Sequence, residues 1–542
     1  MTEKESASTA HPVSPPLLPA APKGVRTVAV IDIGATAIRM EIAEIGEQGE
    51  IRTLETMRHG VHLGKDTFTK GRIEQSTIQE CVEILKGFRR VMDEYGIHAD
   101  HVQAVATSSV REAQNRDTFV DRVYIATNIT VRAIDEAEEN RLTYMAAQTV
   151  MESEPDLQQS DVLVVDVGGG STELLLIEKG YVTFSNSYRL GSLRMRESLE
   201  THRAPADRVR TILGQHIQRL VEQIKNSVPI AKAPVMIAMS GDSRFAAGHI
   251  SKDWAAAKSV RMETKALTGF ADKVLPLTPE KIVSKYQLTF QEAETVGPAL
   301  LVYVHLARAF KTDQILVPKA TLRDGLLKEM TLRGSWSGSF AEQVLHSAKA
   351  LGTKYHIDEK HADHVAEVCV KLFRALQPEH RMDQRSELIL RVAALLHEVG
   401  GYVSSRSHHK HSMYLILNSD LFGLTHEDMT VTALIARYHR RALPGPTHPE
   451  YAALDRDRRI QVSKMAAILR VADALDRNHI QQVQDITLTR EKDQFVIAVR
   501  NVEDLTIERL ALKEKADLFE EVYGVPVVLR EVRAEAEGLP HV

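Results

Sequence analysis

Two stretches of this chain repeat one arrangement, with their aspartates, Asp32 and Asp166, 134 positions apart: VRTVAVIDIGATAIRMEIAEI from Val25 and DVLVVDVGGGSTELLLI from Asp161. Each consists of an apolar run, an Asp, a glycine-containing turn and a second apolar run. Neither has helical periodicity, so each reads as a β-hairpin entering a sheet. A unit present twice in one chain predicts two related α/β halves facing one another. In both turns an Asp at the end of a buried strand precedes glycines whose backbone can approach a ligand closely. Their N–H groups would meet phosphate oxygens while the carboxylate handles water or a metal ion. A lone Asp-x-Gly hairpin is most often structural, but GGGSTE after a buried strand is far less common. The pair is read as two phosphate loops, with Gly34 and Thr36 in the first and Gly168, Gly169, Gly170 and Ser171 in the second.

The rest of the chain fits around these halves. Ile78, Cys81, Val82, Leu85 and Phe88 recur at three-and-four spacing and predict an amphipathic helix over 76–95. VQAVATSS then reads as a strand ending near Arg111. At 542 residues the chain is too long for a single core. The expected units are a Pro-rich disordered leader (1–24), two α/β domains (25–155 and 156–333), a Gly/Ser linker at 334–339, a helical domain (340–482) and a small α+β segment (483–542). Cys81 and Cys369 lie far apart with no CxxC spacing, which excludes a disulfide framework or zinc finger and predicts buried small residues. No signal-like or membrane-spanning run is present, so a cytoplasmic protein without membrane contact is expected. The formal charge of −5 does not draw polyanions to the molecule as a whole: no nucleic-acid partner is expected, and any polyanion site must be locally basic.

Beyond the two loops, the chain resembles the exopolyphosphatase and guanosine pentaphosphatase family from Val28 to about Asp473. ATSSVREAQN (106–115), EENRL (138–142), RLGSLRM (189–195) and LRDGLL (322–327) are similar to family segments in the same order, and LLHEVG, HKHS and RYHRRA resemble its helical domain. The resemblance implies two actin- or sugar-kinase-like (ribonuclease H-like) domains, an all-α HD-like domain and the small C-terminal α+β segment. It also implies a homodimer that hydrolyses the terminal phosphate of inorganic polyphosphate or guanosine pentaphosphate with Mg2+. Glu139 would then be the general base for the attacking water, with Glu138 the fallback. Arg111 would meet the terminal phosphate, and Asp166, Glu173 and Asp32 would serve the metal.

A second constellation comprises His361, His364, His397-Glu398, His408, His409, His411, His439 and Asp473. It is similar to the metal-binding pattern of HD phosphohydrolases, with Glu398 in place of the usual Asp. The family's own helical domain shows the same replacement, which implies a remnant scaffold more often than a second active site. Arg406, Lys410, His411, Arg437, Arg440 and Arg441 form basic clusters that either line a path for a long phosphate chain or are a solvated face. Two departures stand out. Ala35-Thr36-Ala37 lacks a hydroxyl and an amide that the family usually carries, and Asp242 in AMSGDSRFAAG would repel an anion unless a metal or Arg244 offsets it. A kinase of the same fold and a catalytically weak phosphate-sensing protein are the competing readings.

Overall fold

The structure, a computed structural model, describes residues 24–200, 206–230, 232–332, 338–500, 502 and 504–532. All of the expected leader except Gly24 and residues 334–337 of the expected linker lie outside them. Gly338 already opens a helix, Gly338–Lys354.

The first sheet contains β1 (Arg26–Ile33), β2 (Ala37–Ile45), β3 (Ile51–Gly60), β4 (Val102–Ala106) and β5 (Val131–Ala133), ordered β3-β2-β1-β4-β5. The second contains β6 (Val162–Val167), β7 (Thr172–Glu178), β8 (Tyr181–Tyr188), β9 (Val235–Ala238), β10 (Ser259–Glu263) and β11 (Gln314–Pro318), ordered β10-β11-β9-β6-β7-β8. Apart from β10, the second sheet repeats the first. In each, two antiparallel pairings are followed by two parallel ones. The central strands β1 and β6 are buried almost throughout, which is why they read as continuous apolar runs rather than alternating ones. The edge strand β3 carries the polar sequence IRTLETMRHG and stays largely exposed. The helix Gln75–Glu94 closes one face of the first sheet with Ile78, Cys81, Val82, Leu85, Phe88 and Met92.

The helical domain packs Glu359–Ala375, Gln384–Leu396, His426–Arg437 and Arg456–Ala474 around Val365, Leu372, Ile389, Leu434 and Ile468. The same core runs on into the last sheet through Phe495, Ile497 and Phe519. That sheet is β12 (Ile486–Arg490), β13 (Phe495–Arg500) and β14 (Val527–Val532), in that order. The helical domain is tied to the α/β halves by specific bonds. Gln343 accepts from Val182 N at 2.9 Å and donates to Gly180 O at 2.8 Å, Phe422 packs edge-on against Tyr144, and His426 N donates to Asp135 Oδ2 at 3.0 Å. Both cysteines are buried and free. Among the described residues no helix is long and apolar enough to cross a membrane.

Candidate active site

The carboxyl ends of β1, β4, β6, β9 and β11 all open on one cleft between the halves, where open α/β sheets commonly bind ligands. Its cavity of about 550 Å3 is lined by residues following each of these strands, including Gly34, Thr107, Gly168, Ser240 and Lys319. The two loops are built alike. Gly34 N donates to Ala37 O at 3.0 Å, and Gly168 N donates to Ser171 O at 2.9 Å. These two amides therefore close the turns. The N–H groups of Ala35, Thr36, Gly169, Gly170 and Ser171 have no acceptor among the described residues and remain for an anion.

The loops also touch each other, since a Cβ on Gly169 would lie 2.8 Å from the Ala35 Cβ. A Cβ on Gly170 would run into Ser108 and Phe68, so the loop has room only for glycine there. Arg194 holds the second loop from behind: its Nε donates to Gly170 O at 2.6 Å while its guanidinium covers the Phe68 ring. Gly191 has ordinary backbone angles, yet a Cβ there would come within 2.2 Å of Gly170 C and 2.4 Å of Gly169 O. Because backbone atoms block it, Gly191→Ala is expected to displace the glycine loop and to cost about 1–3 kcal/mol of stability. Thermal unfolding and a raised KM for the phosphate substrate check this.

Among the described residues six carboxylates line the cleft, and four of them, Asp32, Glu139, Asp166 and Glu173, come from the two hairpins and the helix Glu136–Ser153. Register pairs Asp166 with Glu173 across the β6–β7 hairpin, as it pairs Asp32 with Arg39 across β1–β2. Glu139 reaches the cleft from the first turn of the helix Glu136–Ser153, whose N-cap Asp135 accepts from Glu138 N at 2.8 Å. Asp32, Glu139 and Glu173 are all under 10% exposed. Burial raises Asp166 to about 6, Arg244 pulling against it and Asp32 adding to it. Burial likewise holds Glu139 and Glu173 above the usual carboxylate range, with Glu139 and Asp166 both pushing Glu173 further. Asp32 faces Arg39 NH1 at 3.4 Å and Arg323 NH1 at 3.8 Å, and Glu139 faces Arg111 NH1 at 2.8 Å. Among the described residues Asp166 and Glu173 have no cation within 4.0 Å, and negative charge is concentrated on their side. An all-oxygen donor set with uncompensated charge fits a hard divalent cation such as Mg2+. Among the described residues these carboxylates form no close trio of ligand atoms.

Cationic side chains share the cleft. Arg39, Arg58, Arg244, Lys319 and Arg323 line it. Burial lowers Arg39 and brings Arg244 down to about 10. Asp242 sits among these arginines: burial and then Glu292 push it to about 7, while Arg39, Arg58 and Arg244 pull it back. The repulsion expected of Asp242 is therefore offset by three guanidinium groups rather than by Arg244 alone. No local sequence pattern marks Arg58 or Arg323 as cleft residues, whereas Arg39 occupies the place in the first unit that Glu173 occupies in the second.

Other expected site residues fall elsewhere. Arg111 stands behind Glu139, with NH1 at 2.8 Å from Glu139 Oε2 and 3.0 Å from Ile134 O. It lines a neighbouring groove with Asp135, Ser187 and Phe422 rather than the cleft itself. Glu138 is outside the cleft lining, paired with Arg132 at 2.7 Å and Arg141 at 3.7 Å. Arg406, Lys410, His411, Arg437, Arg440 and Arg441 line neither the cleft nor this groove. Among the described residues none of their charged nitrogens has a carboxylate within 4.0 Å. Burial brings His409, beside them, down to about 4, helped by His408, Arg437, Arg440 and Lys410.

Two matching halves on either side of one cleft define an actin-like α/β protein. The comparisons make the class specific. The chain matches the model of the Ppx/GppA phosphatase family over residues 41–334 and that of Ppx/GppA phosphatase, domain III, over residues 345–521. It is similar to the guanosine-5'-triphosphate,3'-diphosphate pyrophosphatase of Aeromonas hydrophila, 25% identical over 490 residues, 87% of this chain and 92% of that one. The protein of the same name from Vibrio vulnificus is 23% identical over 483 residues, 87% of this chain and 91% of that one. Among solved structures, an exopolyphosphatase from Cytophaga hutchinsonii superposes with a TM-score of 0.52 at 23% identity, covering 56% of this chain and 98% of that one. The chain belongs to the Ppx/GppA phosphatase family.

Proposed function

We propose that this phosphatase releases the terminal phosphate of inorganic polyphosphate or guanosine pentaphosphate in the cleft, with Glu139 as general base and Mg2+ as cofactor. The observation that carries the reading is the pairing of two loops whose amides lack acceptors with buried carboxylates on the same cleft, two of which, Asp166 and Glu173, have no ion pair among the described residues. Loop amides and the cleft arginines bind the anion, and Glu139 takes a proton from water as its oxygen bonds to the terminal phosphorus. The bridging P–O bond breaks, and its electron pair leaves on the shortened phosphate. Asp166 and Glu173, with Asp32 as a further candidate, would hold the Mg2+, which when bound neutralises charge on the phosphate oxygens. Arg111 keeps Glu139 oriented and, in this reading, reaches the terminal phosphate once substrate enters. The homodimer belongs to the same proposal and is read by light scattering.

The direct test is phosphate release from polyphosphates of graded length and from guanosine pentaphosphate, with and without Mg2+. Magnesium-dependent release from at least one of them is expected. Inertness on all, or phosphate transfer from ATP to a sugar, would overturn the reading.

Metal addition should show in stability as well. Asp166 is raised from 3.8 to about 6 on folding, so the folded state holds the extra proton between these values and burial costs more stability as pH rises through them. Mg2+ relieves that cost only once the carboxylates ionise, so its thermal stabilisation should be larger above that upper value than below it. A pH-independent shift would place the ion elsewhere.

The basic clusters of the helical domain belong to the same proposal. Replacing Arg437, Arg440 and Arg441 with Ala should reduce affinity for long polyphosphate and flatten its salt dependence more than it affects short substrates. Equal loss at every chain length would make these arginines supports of the fold.

A further inference from the structure

We propose that Arg194 is a positioning residue: together with the backbone amides of Ser192, Leu193 and Arg194 itself, its guanidinium holds the carbonyls of the glycine loop and so turns the loop's free N–H groups toward phosphate. This role rests on the reading of the cleft as a phosphate site. It concerns how the second loop keeps its donors aimed, whichever phosphate substrate is cleaved.

Three successive carbonyls of the loop are held by one short segment. Gly168 O accepts from Ser192 N at 3.0 Å and from Ser192 Oγ at 3.2 Å. Gly169 O accepts from Leu193 N at 3.0 Å and from Arg194 N at 2.9 Å. Gly170 O accepts from Arg194 Nε at 2.6 Å. In a planar trans peptide the C=O of one residue and the N–H of the next point in opposite directions, and no peptide bond among the described residues is cis. Holding these oxygens therefore turns the N–H groups of Gly169, Gly170 and Ser171 away from Ser192–Arg194. Gly169 and Ser171 line the cleft, and none of the three N–H groups has an acceptor among the described residues. Successive free N–H groups of this kind form a concavity for an anion.

The Arg194 side chain adds what the amides cannot. A cation on Gly170 O polarises the Gly170–Ser171 peptide and makes the Ser171 N–H a stronger donor. The guanidinium is itself fixed on the far side, its carbon 4.1 Å from the Phe68 ring centroid and its NH2 2.5 Å from Glu112 Oε1. Phe68 and Glu112 belong to the first half and Gly170 to the second, and Glu112 directly follows Arg111. One side chain thus ties the second loop to the segment that carries Arg111. The first loop is held by backbone amides instead, Gly64 N on Ala35 O at 2.8 Å and Val61 N on Thr36 O at 2.9 Å.

The experiment measures binding of inorganic phosphate, the product of either substrate, to the full chain by calorimetry, beside KM for polyphosphate and guanosine pentaphosphate. Arg194→Ala is expected to bind phosphate about tenfold more weakly or worse, the scale of a charge-assisted hydrogen bond, and to raise KM in step. Ethylguanidinium can enter the slot left between Phe68 and Gly170 O and should restore most of the lost affinity, whereas ethylammonium should not, a gain that misfolding cannot imitate. Glu112→Gln leaves Arg194 Nε on Gly170 O and should keep phosphate affinity within about threefold of wild type, as for loss of a partly exposed ion pair. Wild-type phosphate affinity in Arg194→Ala would overturn the proposal, because the loop would then need no side-chain anchor. Equal damage in Glu112→Gln and Arg194→Ala would overturn it too, because the tie between the halves rather than the loop would be what Arg194 serves. A wild type that binds phosphate but hydrolyses neither substrate would sink the proposed function alone, and one that binds no phosphate would sink both.

Discussion

Glu139→Gln is expected to reduce phosphate release by about a hundred- to ten-thousand-fold while leaving substrate affinity within a few-fold of wild type. The amide keeps the shape of the side chain and can still meet Arg111, but it cannot accept the proton of the attacking water. Glu139 is 8% exposed and lines the cleft, whereas Glu138 is outside that lining and is held by Arg132 and Arg141. Glu138→Gln should therefore disturb a salt-bridge cluster and cost little activity. Steady-state phosphate release, combined with binding of a non-hydrolysable phosphate analogue, separates the two variants. If Glu138→Gln were the more damaging, the base would have to be reassigned.

Arg111→Ala should lower turnover at neutral pH by about a hundred- to a thousand-fold, the scale of losing a charge-stabilising group in an active site, and should do so in a pH-dependent way. Burial raises the Glu139 pKa, and the Arg111 charge and hydrogen bond are the main influences pulling it down. Without Arg111 the carboxyl climbs further, so the base is protonated over more of the pH range. The acid limb of the rate profile should move to higher pH, and the defect should narrow as pH rises. Arg111→Lys keeps the charge without the two-armed geometry and should fall between. A defect equal at every pH would instead mean that Arg111 acts on the phosphate alone.

The halves were legible because a duplication leaves the same signal twice: apolar strand, Asp, glycine turn, apolar strand, with one constant offset. The two hairpins, the helix Gln75–Glu94 and the C-terminal strands lie close to where the apolar patterns put them. The same offset links Arg39 to Glu173, so that cationic residue was also recoverable from sequence. Other features were not. Successive helical side chains point about 100° apart, and only the docking of the helix Glu136–Ser153 decides which of two adjacent glutamates faces the cleft. Asp135 gives one oxygen to the cap of that helix and the other to His426 N in the helical domain, a link across 291 positions. Asp242 looked repulsive because Arg39 and Arg58, which help to offset it, lie far away in sequence. Lys515 likewise meets Asp473 only once the C-terminal segment has packed, which no local pattern announces.

Hydrolysis in this cleft requires water as the acceptor of the terminal phosphate. Carrying out the reaction in heavy-oxygen water, with polyphosphate or guanosine pentaphosphate and Mg2+, and weighing the released orthophosphate tests it most directly. One solvent oxygen is expected in each phosphate released in a single turnover by the wild type, and almost no release by Glu139→Gln. Phosphate released without solvent oxygen, or released only when a sugar or acid acceptor is supplied, would contradict it.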